Sequence, residues 1–332
     1  MRKPRILGRS TTNYYHLMSR VVSGSYLLKD EEKTFFRNTM RGLEAFMGVK
    51  VLTYCIMSNH FHILAEVRGI TTLTDDELLR RIKKFYQKED AKMRLEEYED
   101  AKKLADETGN DRKLNAWRKG YLDRMGSLSI FGKELKERFT RWYNWKNNRE
   151  GAFWSARFKS VLVENSDSAL STMAAYIDLN PVRAKMVTDP KEYRFCGYGE
   201  AVAGGKSAQS GICAWAQMNR RDNKKVSWTI AAAQYRTHLF IEAEGKGIDP
   251  EEVKKVLGAG GKLSTKELLH CRIRYFSNGL AIGSKAFVEN VFNTHREWFS
   301  ENRTSGARKI RNAEDPFFCL RDLRIEPIRA PG

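Results

Sequence analysis

No stretch of this chain approaches the ~18–20 consecutive apolar residues that a membrane-spanning helix needs. A helical membrane protein is therefore not expected, and neither is a membrane partner. The N-terminus, MRKPRILGRSTTNYY, is basic but lacks the apolar core of a secretory leader. Cysteine is sparse: the five residues Cys55, Cys196, Cys213, Cys271 and Cys319 are odd in number, scattered, and never in a Cys-x-x-Cys pair. That pattern argues against a disulfide framework and against a zinc ribbon. Free thiols without an export signal fit a reducing cytoplasm. No internal repeat is visible.

Acidic residues are also in deficit. The 332 residues carry 59 Lys+Arg against 41 Asp+Glu, a net charge of +18. Residues 1–192 hold 36 basic and 26 acidic side chains (+10), and the remainder hold 23 and 15 (+8). With 41% hydrophobic residues the chain is globular rather than a disordered polycation. A globular chain of this charge suits a polyanion, with nucleic acid the first candidate.

Periodicity gives an order of elements. Tyr14 to Val22 reads as a strand, and Asp30 opens a helix that Gly48 closes. Val49 to Ile56 and His60 to Val67 read as a hairpin joined by Met57-Ser58-Asn59. Thr74-Asp75-Asp76-Glu77 is a capping box. It precedes a highly charged stretch with Glu and Lys at helical spacings, as on a solvated helix face, and Thr108-Gly109-Asn110 breaks that stretch. An amphipathic helix from about Phe131 to Lys146 carries the apolar stripe Phe131, Leu135, Phe139 and Trp142. Phe158 to Glu164 is a further strand, and Asn165-Ser166-Asp167 caps a helix to about Asn180, ahead of Pro181. The order β-α-β-β-α-β implies an α+β fold, a ferredoxin-like antiparallel sheet with helices on one face. The expected organisation is a domain over 1–192 with a charged helical insertion at about 75–128. A glycine-rich linker at 193–210 and a mostly helical C-terminal domain at 211–332 would follow. In that last part, Thr265–Tyr275 and Ser284–Phe292 flank a turn, a pattern compatible with a helix-turn-helix.

Few residues offer chemistry. His60 and His62 share one face of their strand while Phe61 points to the other, so two imidazoles stand together as half of a divalent-metal site. Two polar residues on a half-exposed sheet face would look the same. On the capped helix, Leu170, Met173, Ala174 and Ile177 form an apolar stripe. Tyr176 and Asn180 lie about 110° and 70° from its centre, one turn apart on one flank. On this helix alone, packing of Tyr176 at the core edge and capping by Asn180 are the better explanation. The string Trp154-Ser155-Ala156-Arg157-Phe158-Lys159 interleaves aromatics with cations that could stack on bases and neutralise phosphates. Trp154 and Phe158 could also be ordinary core.

At this point the sequence resembles a family. Tyr54-Cys-Ile-Met-Ser-Asn-His60-Phe-His62-Ile-Leu is similar to the HUH motif of single-tyrosine transposases. The Phe153–Glu164 block and Ala175-Tyr176-Ile-Asp-Leu-Asn180-Pro-Val-Arg183-Ala resemble the segments around their tyrosine, and Tyr15-His16-Leu-Met-Ser-Arg20 resembles their first strand. Within that family the chain is most similar to REP-associated tyrosine transposases. The likeness spans roughly residues 10–192 outside the charged helices near 88–125, and the blocks in this order are far more specific than His-x-His alone.

The resemblance implies an HUH nuclease core. His60 and His62 would bind one divalent ion, Mg²⁺ or Mn²⁺, with Asn180 as third ligand. Tyr176 would attack the scissile phosphate to form a 5′-phosphotyrosine. Arg20, Arg141, Trp154, Arg157, Lys159 and Arg183 are the candidate DNA contacts. The implied substrate is single-stranded DNA beside a REP-like palindromic hairpin, with no nucleotide cofactor because the covalent link conserves the phosphodiester energy. The site would be built from one chain or from a homodimer exchanging tyrosine helices. Two other readings stand beside this one: a non-catalytic DNA- or RNA-binding regulator, and an HUH replication initiator or relaxase.

Overall fold

The computed structural model describes residues 5–69, 72–218, 225–240, 275–310 and 317–321. The chain begins with β1 (Thr12–Arg20), α1 (Asp30–Met47), β2 (Lys50–Ile56) and β3 (His60–Arg68). Gly48 ends α1 in the left-handed region at φ 68°, where glycine escapes the Cβ penalty. The β2–β3 hairpin closes through Met57 N–H donating to the His60 carbonyl at 2.8 Å. Next come α2 (Asp75–Phe85), α3 (Lys88–Thr108), α4 (Arg112–Leu122), α5 (Leu128–Lys146), β4 (Lys159–Val163) and α6 (Asp167–Asp178). These first four strands run in the antiparallel order β2-β3-β1-β4. That is the expected ferredoxin-like arrangement in an α+β fold.

Strand parity divides the helices between two faces. Phe61, pointing to one face, meets Phe36 of α1 at 4.7 Å between ring centroids, and Phe36 meets Phe139 of α5 at 5.6 Å. The two crossover helices thus share one face, and Phe131, Leu135 and Phe139 of the α5 stripe are wholly buried. The opposite face carries His16, His60 and His62, and α6 covers it. The expected single helix from 167 to 180 is two elements. Leu179 breaks α6, and a short α7 (Asn180–Arg183) restarts with Pro181 in its first turn, where a missing N–H costs nothing.

The insertion is more than a solvated arm. Exposed pairs such as Lys92–Glu96 and Lys103–Glu107 confirm one charged face. The other face of α3 buries Tyr98, Ala101 and Ala105 with Leu114 of α4, and the Tyr98 and Trp117 rings lie 5.0 Å apart. Asp75 at the start of α2 takes an ion pair from Arg118 of α4 at 2.6 Å and a hydrogen bond from the Tyr98 hydroxyl of α3 at 2.8 Å, which ties the three helices together.

Beyond residue 192 the structure departs from expectation. The glycine-rich stretch at 193–210 is not a loop. It holds α8 (Gly197–Val202) and the start of α9 (Lys206–Met218), followed by α10 (Trp228–Leu239). Gly197 and, just beyond the stretch, Gly211 serve close packing on β2. A Cβ at Gly197 would lie 2.1 Å from the Thr53 hydroxyl, and one at Gly211 would lie 2.5 Å from the Val51 and Leu52 carbonyls. Of the expected helix-turn-helix, the second helix forms with Ser284 as its cap, but a strand stands in the expected turn. Between α11 (Tyr275–Asn278) and α12 (Lys285–Thr294) runs β5 (Ala281–Gly283), while 265–274 lie outside the described residues. β5 pairs in parallel with β4, and β7 (Phe318–Leu320) and β6 (Arg308–Lys309) complete a seven-stranded sheet. The C-terminal part therefore contributes strands as well as helices, and the sheet continues across the expected boundary.

Candidate active site

The sheet parity that buries Phe61 leaves His60 and His62 side by side, with ring centroids 5.0 Å apart and planes at 89°. Tyr176, on the face of α6 turned to the sheet, lies 5.9 Å from the His62 ring and belongs to the same chain. The Ser166 hydroxyl caps α6 by accepting from Ala169 N–H, as its sequence suggests. Tyr176 is 4% exposed. The Phe276 ring packs at 4.8 Å, and the Arg183 guanidinium stands over the tyrosine ring 4.4 Å from its centroid. Arg183 also donates to the Tyr176 carbonyl, which anchors the cation to the turn that follows α6.

A third histidine completes the cluster. His16 of β1 sits diagonally across from His62 on the same face, since Met18 is the direct partner of His62. Its Nε2 lies 2.8 Å from His62 Nδ1, and its Nδ1 lies 2.9 Å from the Phe276 carbonyl. Burial pushes the His16 imidazole down to about 4, against the pull of the Phe276 carbonyl. His62 is driven well below its usual value, first by burial and then by His16, His60, Arg183 and Arg20. Both rings are thus neutral at physiological pH, the state in which imidazole ligates metals.

The donor set fits a divalent ion. In His60 as in His62, Nδ1 is taken by a protein partner, here the Asn59 side-chain oxygen at 2.6 Å, as in ligating imidazoles held by an outer shell. Among the described residues no group of three or more His, Cys, Asp or Glu side chains is gathered for a metal. Asn180, expected as a third ligand, stands at the end of α6. Its amide nitrogen caps the end of α6, donating to the Tyr176 and Ile177 carbonyls at 3.1 Å each. Its Oδ1 is consequently the ligating atom it can offer.

The structure sorts the candidate DNA contacts. Arg20 faces His60 across the β1–β3 ladder, and Lys159 faces Met18, the neighbour of His62, so both cations flank the histidines on one face. Both are exposed, as is Arg157 in the preceding loop. Trp154 is a correction: it is 8% exposed and packs on Phe36, Phe61 and Phe153 within the core, with its indole N–H donating to the Lys136 carbonyl. It offers no face for a base. Arg141 is exposed on α5, in the helix layer across the sheet from the histidines, and is not brought together with them. His16, Phe276 and Asp178 escaped the sequence reading. His16 carried a signal in its parity, since in an antiparallel pairing it falls on the histidine face. Asp178 is wholly buried and accepts from the Thr53 hydroxyl at 2.6 Å, Tyr198 N–H at 3.0 Å and the Tyr235 hydroxyl.

An antiparallel ferredoxin-like sheet thus places a paired-histidine strand under a tyrosine-bearing helix. Residues 9–121 match the family model described as IS200-like transposase, a range that includes both histidines and ends before Tyr176. That match agrees with the motifs over those residues, about a third of the chain. A solved structure of a REP-associated tyrosine transposase bound to a REP hairpin aligns with 62% of this chain and 87% of that chain, at 14% identity and a TM-score of 0.38. No curated protein matches the chain. No helix among the described residues is long and apolar enough to cross a membrane.

Proposed function

We propose that this chain nicks and rejoins single-stranded DNA beside palindromic hairpins, with Tyr176 as the nucleophile. The observation that carries this reading is the placement of the Tyr176 ring against His62, with His60 next along the same face. The phenol oxygen attacks the scissile phosphorus and gives up its proton. The bond from phosphorus to the 3′ oxygen breaks, leaving a 3′-OH strand and a 5′-phosphotyrosine. Reversal by a second 3′-OH restores a diester, so no nucleotide cofactor is needed. A phenol of ordinary pKa ~10 is a weak nucleophile at neutral pH and needs help. His60, His62 and Asn180 would hold a divalent cation, Mg²⁺ or Mn²⁺, whose chemistry is to polarise the phosphate and neutralise its charge. Arg183 contributes from the protein itself. Its guanidinium already stands over the phenol, where an incoming phosphate would meet a fixed donor fork. Arg20, Lys159 and Arg157 would neutralise the flanking backbone, and the net charge of +18 supports a polyanionic partner. The hairpin substrate follows from the resemblance to REP-associated tyrosine transposases.

The test is incubation of hairpin-bearing single-stranded DNA with Mn²⁺ or Mg²⁺. A covalent protein–DNA adduct should form with the wild type and vanish in Tyr176→Phe. Tight hairpin binding without an adduct in any divalent metal would instead make the chain a non-catalytic regulator.

A further inference from the structure

The three-member chain Phe276 carbonyl, His16, His62 has only one consistent set of hydrogens. The carbonyl can only accept, so the hydrogen of the 2.9 Å contact is on His16 Nδ1. His16 is 0% exposed, with no carboxylate bonded to it among the described residues, and burial of an unpaired imidazolium is costly. The ring is therefore neutral, and its Nε2 carries a lone pair. The 2.8 Å contact with His62 Nδ1 is then attractive only if His62 donates. Two lone pairs at that distance would repel. A neutral His62 with hydrogen on Nδ1 has its own lone pair on Nε2. The opposite arrangement, with His16 donating to His62, would require hydrogens on both His16 nitrogens and would put the His62 hydrogen on Nε2, where no cation could be bound.

We infer that His16 is a positioning residue that fixes His62 as the Nδ1–H tautomer and so presents the His62 Nε2 lone pair for ligation, with the sense of the chain set by the Phe276 carbonyl of the C-terminal part. The inference deepens the reading of His62 as a metal ligand and rests on it for its purpose, but the tautomer is a property of the metal-free protein. The two rings also stack, with centroids 4.9 Å apart and planes at 27°, so His16 holds both the hydrogen and the plane of His62. The strand register makes this possible, because diagonal neighbours on one face of an antiparallel pair lie within reach of two rings. One consequence concerns the architecture. A residue from the last sixty of the chain sets the state of a ligand on the third strand.

The experiment is nitrogen-15 NMR of the imidazoles in the full-length, metal-free protein, assigned through His16 and His62 variants. His62 should show a protonated Nδ1 and an unprotonated Nε2, and His16 the same tautomer. Replacement by His16→Leu should release His62 to a mixture of tautomers. His16→Gln, whose side-chain oxygen can stand near the lost Nε2 as acceptor, should restore the Nδ1–H form. Mn²⁺ alone, titrated by electron paramagnetic resonance, should bind about 10- to 100-fold more weakly to His16→Leu than to wild type, as when an outer-shell partner of a ligating histidine is lost. His16→Gln should recover most of that. A His62 that carries its hydrogen on Nε2, or a tautomer unchanged in His16→Leu, overturns the inference. An Nδ1–H His62 in a wild type that binds no Mn²⁺ would overturn the metal reading while leaving the tautomer assignment standing.

Discussion

Asp178 gives the most direct energetic test of how the tyrosine helix is held. At 100° per residue it points about 200° away from Tyr176 on the same helix. Tyr176 turns to the histidines, while Asp178 turns to β2, α8 and α10. There it accepts hydrogen bonds from Thr53, the Tyr198 backbone and Tyr235. Burial raises the carboxyl pKa against the pull of those three donors. Replacement by Ala removes every acceptor at once. Tyr235 is 1% exposed and the Tyr198 N–H is also buried, so neither donor gains water. Each stranded donor costs about 1–3 kcal/mol. Two or three of them amount to roughly 3–6 kcal/mol, a large share of the ~5–15 kcal/mol that holds a typical domain. Relief of carboxylate desolvation offsets part of this loss. Asp178→Asn keeps one oxygen but turns an amide N–H₂ toward a donor, and should cost about 1–3 kcal/mol. Urea denaturation of the full chain measures both, read as a lower midpoint at unchanged slope. An Asp178→Ala midpoint within ~1 kcal/mol of wild type would refute the account of Asp178 as the tie between α6 and the helices behind it.

Three further outcomes follow from particular side chains. Lys136 is buried beside Trp154, and desolvation lowers its pKa to about 8. The unfolded chain keeps this proton up to about 10.4, so between those values the unfolded state binds more protons and stability rises with pH. Melting temperatures of Lys136→Met should exceed those of wild type at pH 7, and the excess should shrink as pH rises through that window. Trp154→Ala should lose about 3–5 kcal/mol of stability as a core truncation. Lys159→Ala should leave the melting temperature unchanged and weaken binding of single-stranded DNA, lowering its salt slope by about 0.7 as expected for one lost phosphate contact. A Trp154→Ala protein that melts like wild type yet binds DNA poorly would return the indole to the interface.

The sequence carried the local order well, because period-two and period-3.6 patterns are local. The first four strands, the Gly48 closure and the Ser166 cap all fall within a residue or two of expectation. The same parity argument put Phe61 and the two histidines on opposite faces. What escaped was non-local. Nothing local to β4 announces that Ala281 and Ile282 will pair beside it in parallel. The partners of Asp178 come from positions 53, 198 and 235, and only the folded chain joins them. The glycines at 197, 199 and 211 looked like a linker because flexibility and close packing use the same residue. The Cβ collisions on Thr53, Tyr193 and the β2 carbonyls show that packing is the reason here. Trp154 was misread for a related cause. Aromatics alternating with cations occur both on nucleic-acid surfaces and at the edge of a core, and only burial distinguishes the two. His16 required the β1–β3 register, which puts it diagonal to His62.

The central claim is that Tyr176 becomes covalently joined to DNA. Cleavage of a hairpin-bearing single strand in Mn²⁺, followed by proteolysis and mass spectrometry, locates the linked residue. The account predicts a nucleotide carried through its 5′ phosphate on the peptide containing Tyr176, and a released strand whose free 3′-OH a polymerase can extend. A nucleotide on any other tyrosine, or cleavage that yields no linked peptide, would contradict it.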